Sequence, residues 1–343
     1  MKWLITGGCG FIGSNLANTV LSKGEEVIIL DNLSRSGAEQ NLAWLQQRYG
    51  TSWAFIQEDV RHRRTTDSVL KKYKPDVIAH LAGQVAMTTS LKNPRVDFVT
   101  NAWGTLNILE AIRSYSPKTI LLYSSTNKVY GSLENLRIDE LENRYILPDF
   151  PDGLDETLPL DGYSPYGCSK LAAEQYVRDY ARVFGLQTVV FRHSSMYGGR
   201  QYATFDQGWI GWFCQKALEM VNPTAPPFTI SGNGKQVRDL LYADDLVNVY
   251  LLAVQHIGIT AGEIYNIGGG VQNSLSLVEL FSMLEHFTGN PMRYSRLDWR
   301  PGDQKVFIAD SSKAKTHFGW APETNKEAGI RKMLTWCMES QHA

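Results

Sequence analysis

Tyr166 and Lys170 are the two residues whose types and spacing most directly suggest catalysis. They lie four positions apart in the segment YGCSK, so both side chains share one face if this segment is helical. An adjacent ammonium favours the phenolate form and lowers the pKa of a tyrosine. Such a pair could move a proton to or from a substrate hydroxyl. The same spacing is common on solvated helix faces, so the pair alone does not establish an enzyme.

A second group combines three glycines with one carboxylate. Gly7, Gly10 and Gly13 lie in TGGCGFIG, and Asp31 follows 18 residues after Gly13. Glycines let backbone amides at a helix N-terminus approach a pyrophosphate. A carboxylate about 20 residues further on binds the ribose 2′-hydroxyl and repels a 2′-phosphate, which favours NAD over NADP. Arg35 weakens that preference, and glycine turns also close ordinary strand–helix corners.

The elements that must position these residues alternate between buried strands and helices. Helical patterns follow at SNLANTVLSKG and NAWGTLNILEAIRSY. This alternation predicts an α/β fold of the Rossmann type, with a doubly wound parallel sheet that binds ligands at the carboxyl ends of its strands. The predicted strands are KWLITGG, EVIILDN, AFIQED, DVIAHLAG, TILLYSS and TVVFRHS.

Composition excludes several classes of function. The chain has 343 residues and a formal net charge of −1, so it has no basic field that would hold nucleic acid. Its four cysteines form no CxxC pair, and no histidine cluster has zinc spacing, so we expect reduced thiols, no metal and a cytoplasmic location. No apolar run reaches the roughly 18 residues of a membrane span. We therefore expect no membrane partner.

Taken in order, the glycine loop, Asp31, YSSTNKVYG and YGCSK resemble the extended short-chain dehydrogenase/reductase family of nucleotide-sugar epimerases and dehydratases. The resemblance covers nearly the whole chain. It implies NAD as cofactor, a nucleotide-sugar substrate, and Thr126, Tyr166 and Lys170 as catalytic residues. The cofactor-binding residues that it implies are Gly7, Gly10, Phe11, Ile12, Gly13, Asp31, Asn32, Ser34, Arg35, Asp59, Val60, Leu81, Ala82, Gly83, Gln84, Asn101, Ser124, Ser125, Tyr166, Lys170 and His193.

Asn127 and Lys128 narrow the choice within this family. The 4,6-dehydratases carry an acid pair at these two positions, and an amide with a lysine cannot replace that pair. Together with GQVAMTTS and RHSSMYGGRQYATFDQGWIGWF, the segment STNKVYG resembles the 2-epimerase branch, which inverts C2 of CDP-linked 3,6-dideoxyhexoses by transient oxidation with tightly bound NAD. A 4-epimerase, a 2-epimerase of CDP- or GDP-glucose, and a cofactor-binding protein without turnover remain alternatives.

The substrate-binding residues follow from the same resemblance. Arg238 and Arg300 are expected to meet the diphosphate, because the planar guanidinium binds two oxygens at once. Apolar side chains would replace contacts to the two hydroxyls that a dideoxy sugar lacks. For Lys128 and His193, a purely structural role is an alternative to a contact with the ligand. The full set is Val85, Met87, Thr126, Asn127, Lys128, Ser195, Met196, Arg200, Arg238, Arg300 and Asp303.

Two lobes are expected. Residues 1–190, with a returning segment at about 241–272, would form the NAD-binding lobe, and residues 191–240 and 273–343 the substrate lobe. The resemblance also implies a homodimer, in which the long helix from Ser169 and the helix after Asn101 pack as a four-helix bundle.

Overall fold

A computed structural model describes residues 1–300 and 302–340 of the chain. Residues 301 and 341–343, which the sequence analysis assigned to the substrate lobe, lie outside the described residues. Within the described residues, no helix is both long and apolar enough to pass through a membrane. In the same part of the chain, no cluster of three or more histidine, cysteine, aspartate or glutamate side chains could hold a metal ion.

The strands predicted in the first half are present, each at or within one to three residues of its expected bounds. The strands are β1 Lys2–Thr6, β2 Glu26–Asp31, β3 Ala54–Gln57, β4 Val77–His80, β5 Ile120–Thr126, β6 Asp139–Glu140, β7 Tyr145–Ile146, β8 Thr188–His193, β9 Ser195–Tyr197, β10 Phe228–Ser231, β11 Val237–Tyr242, β12 Ile264–Ile267, β13 Ser274–Ser276, β14 Tyr294–Leu297 and β15 Val306–Phe307.

The helices fill the connections between these strands. They are α1 Phe11–Ser22, α2 Ala38–Tyr49, α3 Arg63–Tyr73, α4 Met87–Lys92, α5 Pro94–Asp97, α6 Gly104–Tyr115, α7 Ser164–Phe184, α8 Trp209–Glu219, α9 Ala243–Gln255, α10 Ile257–Thr260, α11 Leu277–Thr288, α12 Ser312–Phe318 and α13 Lys326–Ser340. The predicted helix at 101–115 begins as a π-helix, Phe98–Trp103, before α6.

The central sheet has the order β12-β8-β5-β4-β1-β2-β3 in the described residues, and neighbouring strands are parallel. The chain winds outward from β1 in one direction and from β4 in the other. The loops after these two strands therefore diverge, and they open a crevice at the carboxyl edge of the sheet. The fold class predicted from the sequence is confirmed, and β12 is the strand that returns to pair with β8.

Each face of this sheet is covered by helices that share an apolar core with it. Leu16 and Val20 of α1 pack with Leu246 and Val249 of α9 on one face. On the other face, α3, α6 and α7 contribute Leu70, Ile108, Val177 and their apolar neighbours. Strands buried on both sides need nearly continuous apolar sequence, which is why their pattern was readable in advance.

A third core holds the other lobe together. Phe213 and Cys214 of α8, Leu280 of α11 and Met333 of α13 pack with Ile230 of β10. Beside them, β9, β11, β13 and β15 form a mixed sheet in which β11 is central. Since β9 follows β8 directly, this second sheet starts at the carboxyl edge of the first one, where the crevice opens.

Candidate active site

Thr126, Tyr166 and Lys170 meet at one end of the crevice. Thr126 is the last residue of the fully buried strand β5, and the other two lie in the first turns of α7. All three are at least nine-tenths buried and line a cavity of about 350 Å³. Lys170 Nζ donates a hydrogen bond to the Ser124 carbonyl oxygen at 2.7 Å. The strand end and the helix thus hold a hydroxyl, a phenol and an ammonium within one site.

Burial governs the protonation of this pair. Desolvation raises the pKa of Tyr166 to about 12, and hydrogen bonding with Thr126 opposes part of that rise. Desolvation also lowers the pKa of Lys170 to about 8. The net shift of the Tyr166 pKa is therefore upward, opposite to the lowering expected beside a lysine. The cost of placing a phenolate in a buried site outweighs the neighbouring ammonium, which points at a carbonyl oxygen.

The glycine loop leaves room for a pyrophosphate. Gly7 has φ of +69°, and a Cβ there would lie 2.7 Å from the Ala82 amide nitrogen on the opposite loop. A Cβ on Gly13 would overlap the Gly7 carbonyl. Gly10 precedes α1, and in the described structure no side chain caps this helix N-terminus and no acidic residue lies in its first turn. Its free amides fit the phosphates of a dinucleotide.

Asp31 and Asp59 form the next part of the same cavity. Asp31 is buried, and its carboxylate accepts hydrogen bonds from the amides of Cys9 at 2.9 Å and Leu33 at 2.8 Å. Asp59 is paired with Arg61 at 2.7 Å and accepts a hydrogen bond from Asn32 at 2.7 Å. These contacts fix two carboxylates where the sugar and base of an adenosine would lie, so the residues present fit NAD.

Nearly every residue predicted for the cofactor lines this first cavity. Gln84 and Asn101 do not, and they support the loop behind it. Asn101 accepts a hydrogen bond from the Gln84 amide at 2.8 Å and donates to Ser169 of α7 at 2.9 Å. The lining residues are Gly7, Gly10, Phe11, Ile12, Gly13, Asp31, Asn32, Ser34, Arg35, Asp59, Val60, Leu81, Ala82, Gly83, Ser124, Ser125, Tyr166, Lys170 and His193.

His193 is held as a neutral, buried side chain. Its Nδ1 lies 3.3 Å from Ser124 Oγ, its Nε2 lies 3.4 Å from Tyr250 Oη, and the two rings stack. Desolvation lowers its pKa to about 3. His193 touches the cavity, but its neighbours give it a structural role as well.

A second cavity of about 390 Å³ adjoins the first through Ser194, Ser195 and Trp209, which line both. Of the predicted substrate residues, this cavity contains Met87, Asn127, Lys128, Ser195, Arg238, Arg300 and Asp303. Thr126, Val85 and Met196 line the first cavity instead, close to the junction. Most of the predicted substrate residues therefore come together, although they derive from distant parts of the chain.

The position of Arg200 differs from the one predicted for a substrate-binding residue. It lines the first cavity and not the second, its guanidinium carbon lies 4.1 Å from the centre of the Trp44 ring, and its carbonyl accepts a hydrogen bond from Asn41. Both partners belong to α2, which lies on the side of the first cavity that contains Asp31 and Asp59. The helix holds Arg200 away from the second cavity, where its predicted contact with the substrate would have to be made.

Several lining residues were missed by the sequence analysis. They include Gln201, Tyr202 and Trp209 of the first cavity, and Phe205, Trp212, Ser231 and Gln236 of the second. Most lie within RHSSMYGGRQYATFDQGWIGWF, a stretch whose dense aromatic residues were the available signal. Aromatic residues in a loop are also common core anchors, so only their placement distinguishes the two roles.

Comparisons with known proteins agree with this geometry. Residues 4–333 match the family model described as GDP-mannose 4,6 dehydratase. The chain is 54% identical to a CDP-paratose 2-epimerase of Salmonella typhi, over 98% of this chain and 99% of that one. The UDP-glucose 4-epimerase of Thermotoga maritima with UDP-glucose superposes with a TM-score of 0.84, at 29% identity and over 99% of this chain and 100% of that one.

A further solved structure carries both kinds of ligand. The UDP-glucuronic acid 4-epimerase of Bacillus cereus, in complex with UDP-glucuronic acid and NAD, superposes with a TM-score of 0.83 at 27% identity. The superposition covers 99% of this chain and 100% of that one.

Proposed function

The chain belongs to the GDP-mannose 4,6 dehydratase family of extended short-chain dehydrogenases/reductases, and on that premise we propose that it is an NAD-dependent isomerase that interconverts CDP-paratose and CDP-tyvelose. The observation that carries this proposal is the likeness to the Salmonella typhi 2-epimerase over almost the full length of both chains. The absence of the dehydratase acid pair at Asn127 and Lys128 supports it. The reaction would serve lipopolysaccharide O-antigen synthesis in the cytoplasm.

The chemistry follows from what C2 of the sugar lacks. No carbonyl neighbours C2, so its proton is not acidic and direct deprotonation is implausible. The glycine loop, Asp31 and Asp59 would hold NAD, and the chemistry that NAD would supply there is reversible hydride transfer at C2. Meanwhile Tyr166 would take the proton of the C2 hydroxyl and return it, and Thr126 would hydrogen-bond the reacting oxygen. The Lys170 ammonium, fixed by the Ser124 carbonyl, would stabilise the phenolate.

The second cavity would hold the nucleotide end of the substrate. Arg238 and Arg300 both line this cavity and would bind the diphosphate there, and Ser195 joins it to the first cavity, which contains Tyr166. Val85, Met87 and Met196 offer apolar contacts to a deoxygenated sugar. A fixed diphosphate with a loosely held sugar would allow the 2-keto sugar to present either face.

Proton NMR of the purified enzyme with CDP-paratose in D2O, without added NAD, tests this proposal. We expect inversion at C2 with no deuterium incorporated there, because the hydride returns from cofactor that stays bound. Deuterium at C2 would contradict transient oxidation. An enzyme that leaves CDP-paratose unchanged but inverts C4 of a UDP-sugar, or C2 of CDP- or GDP-glucose, would belong to the alternative epimerases.

We also propose that the protein is a homodimer through the helices next to the active site. Phe98 and Trp103 of the π-helix and Tyr176, Val183 and Phe184 of α7 are exposed apolar side chains on adjoining helices. Exposed apolar surface of this kind marks association sites. Two such helices from each protomer would form a four-helix bundle.

Introducing charge into this face should separate the protomers. The double variant Trp103→Glu, Val183→Glu is expected to have the mass of one chain in light scattering after size exclusion, because the dimer would bury four carboxylates without partners. Leu141→Glu, at an equally exposed apolar residue beside the β6–β7 hairpin, is the matched control and should leave the mass unchanged. A double variant with the wild-type mass would contradict this interface.

A further inference from the structure

The second cavity contains a charge cluster with an excess of cations. Lys128, Arg238, Arg300 and Asp303 are the charged residues that line it in the described part of the chain. Three cations against one carboxylate leave a formal excess of two positive charges. Arg238 Nη2 lies 2.8 Å from Asp303 Oδ1, and Lys128 Nζ lies 3.4 Å from the same oxygen. Arg300 donates from Nε to Ser231 Oγ at 3.2 Å.

The contact between Lys128 and Asp303 is a weak one. Charge-assisted hydrogen bonds between an ammonium and a carboxylate are typically about 2.7–2.9 Å long, and this one is longer and shares its acceptor atom with a guanidinium. The ammonium has three donors, so it retains the capacity to bind another anion. Its side chain is 18% exposed, which leaves it open to the cavity.

The backbone and the side chain of Lys128 serve different cavities. Its amide donates to Thr126 Oγ1 at 3.2 Å and starts the short 3-10 helix Asn127–Tyr130. Its side chain, however, lines the second cavity, whereas Tyr166 and Lys170 line the first. Lys128 therefore follows the catalytic threonine in sequence but directs its charge towards the arginines.

We propose that Lys128 is a substrate-binding residue that holds the diphosphate together with Arg238, and that Asp303 is its counter-ion only in the free enzyme. The inference rests on the proposed function and deepens it, because it assigns this lysine to the nucleotide and not to the chemistry at C2. A compact ammonium binds a diphosphate oxygen as a point charge beside the planar forks of the arginines.

The ionisation of Lys128 supports this role. Burial lowers its pKa to about 8, Asp303 raises it, and Arg238 and Arg300 lower it further. A bound diphosphate favours the charged form and raises this pKa. Below pH 8 the lysine is already charged, so affinity changes little with pH. Above pH 8 binding must take up a proton, and the affinity for a nucleoside diphosphate falls as pH rises.

Calorimetric titration of the NAD-loaded enzyme with CDP and with cytidine tests the proposal without turnover. Lys128→Met should weaken CDP binding by about 10- to 100-fold at pH 7, because a charge-assisted contact is lost. Its affinity for cytidine, which has no phosphate, should stay unchanged. Lys128→Arg should retain CDP affinity within a few-fold and abolish its fall between pH 7.5 and 9.5, since a guanidinium stays charged there.

Three results would overturn the inference. One is CDP affinity of Lys128→Met within about twofold of wild type, which would leave the lysine to the sugar. Another is an equal loss of cytidine affinity in Lys128→Met, which would indicate a structural role for the lysine. Lys128→Gln replaces Lys128→Met if that variant does not fold. The third is a wild-type pH dependence that persists in Lys128→Arg. If wild type prefers UDP to CDP, the proposed base fails, and the UDP–uridine pair then tests Lys128 in the same way.

Discussion

Replacing Tyr166 by phenylalanine is expected to lower the rate of epimerisation by about 10²- to 10⁴-fold, which is the usual contribution of a positioned general acid–base group. The phenol is buried at the end of the first cavity, beside Thr126 and one helical turn from Lys170. Phenylalanine keeps the ring and its packing but removes the oxygen that would exchange the proton. The loss should appear in kcat, because the variant loses the proton transfer, whereas the second cavity, which would hold the nucleotide end of the substrate, keeps its lining.

The measurement is the initial rate of C2 inversion together with the NAD content of the purified variant. NAD content should match that of wild type, since the glycine loop and Asp31 lie elsewhere in the cavity. Tyr73→Phe is the matched control, because Tyr73 is on α3, packs against the core on one face of the sheet and lines neither cavity. Full activity of Tyr166→Phe would exclude the proposed proton transfer.

Replacing Glu174 by leucine is expected to lower the free energy of unfolding by about 3–5 kcal/mol, because it leaves a buried arginine without its counter-ion. Glu174 and Arg192 are almost fully buried, and the guanidinium contacts the carboxylate at 2.5 Å and 3.1 Å. Glu174 also accepts from Ser125 Oγ at 2.7 Å, and Arg192 donates to Tyr130 Oη at 2.7 Å. This pair therefore ties β5, α7 and β8 together directly beneath the active site.

Urea unfolding at fixed protein concentration gives the comparison, and the double variant Glu174→Leu, Arg192→Met is the control. Removing both charges should recover most of the lost stability, because an apolar replacement of a whole buried pair is often neutral or better. A double variant as unstable as the single one would mean that packing, and not the unpaired charge, causes the loss. The catalytic rate should fall in both, since Ser125, which precedes Thr126, loses its hydrogen bond to Glu174.

The parallel sheet, the glycine loop and the spacing of Tyr166 and Lys170 could be predicted because each depends on residues close in the chain. Buried parallel strands require apolar runs, a tight turn at a phosphate requires glycine, and a helix brings residues four apart to one face. The change from acids to Asn127 and Lys128 was likewise visible as residue types at fixed positions. Those features were enough to indicate a Rossmann enzyme and to disfavour a dehydratase.

The features that depend on burial and on contacts between distant residues were decided only by the tertiary structure. The sequence suggested a lowered pKa for Tyr166, but desolvation raises it, and desolvation depends on every segment that covers the site. Arg200 lies in a motif that predicted substrate binding, yet α2 holds it at the first cavity. Lys128 and Asp303 are 175 residues apart in the chain and share one ion pair. No local pattern encodes this contact, because it forms only when the 3-10 helix after β5 and the loop before β15 fold against the same cavity.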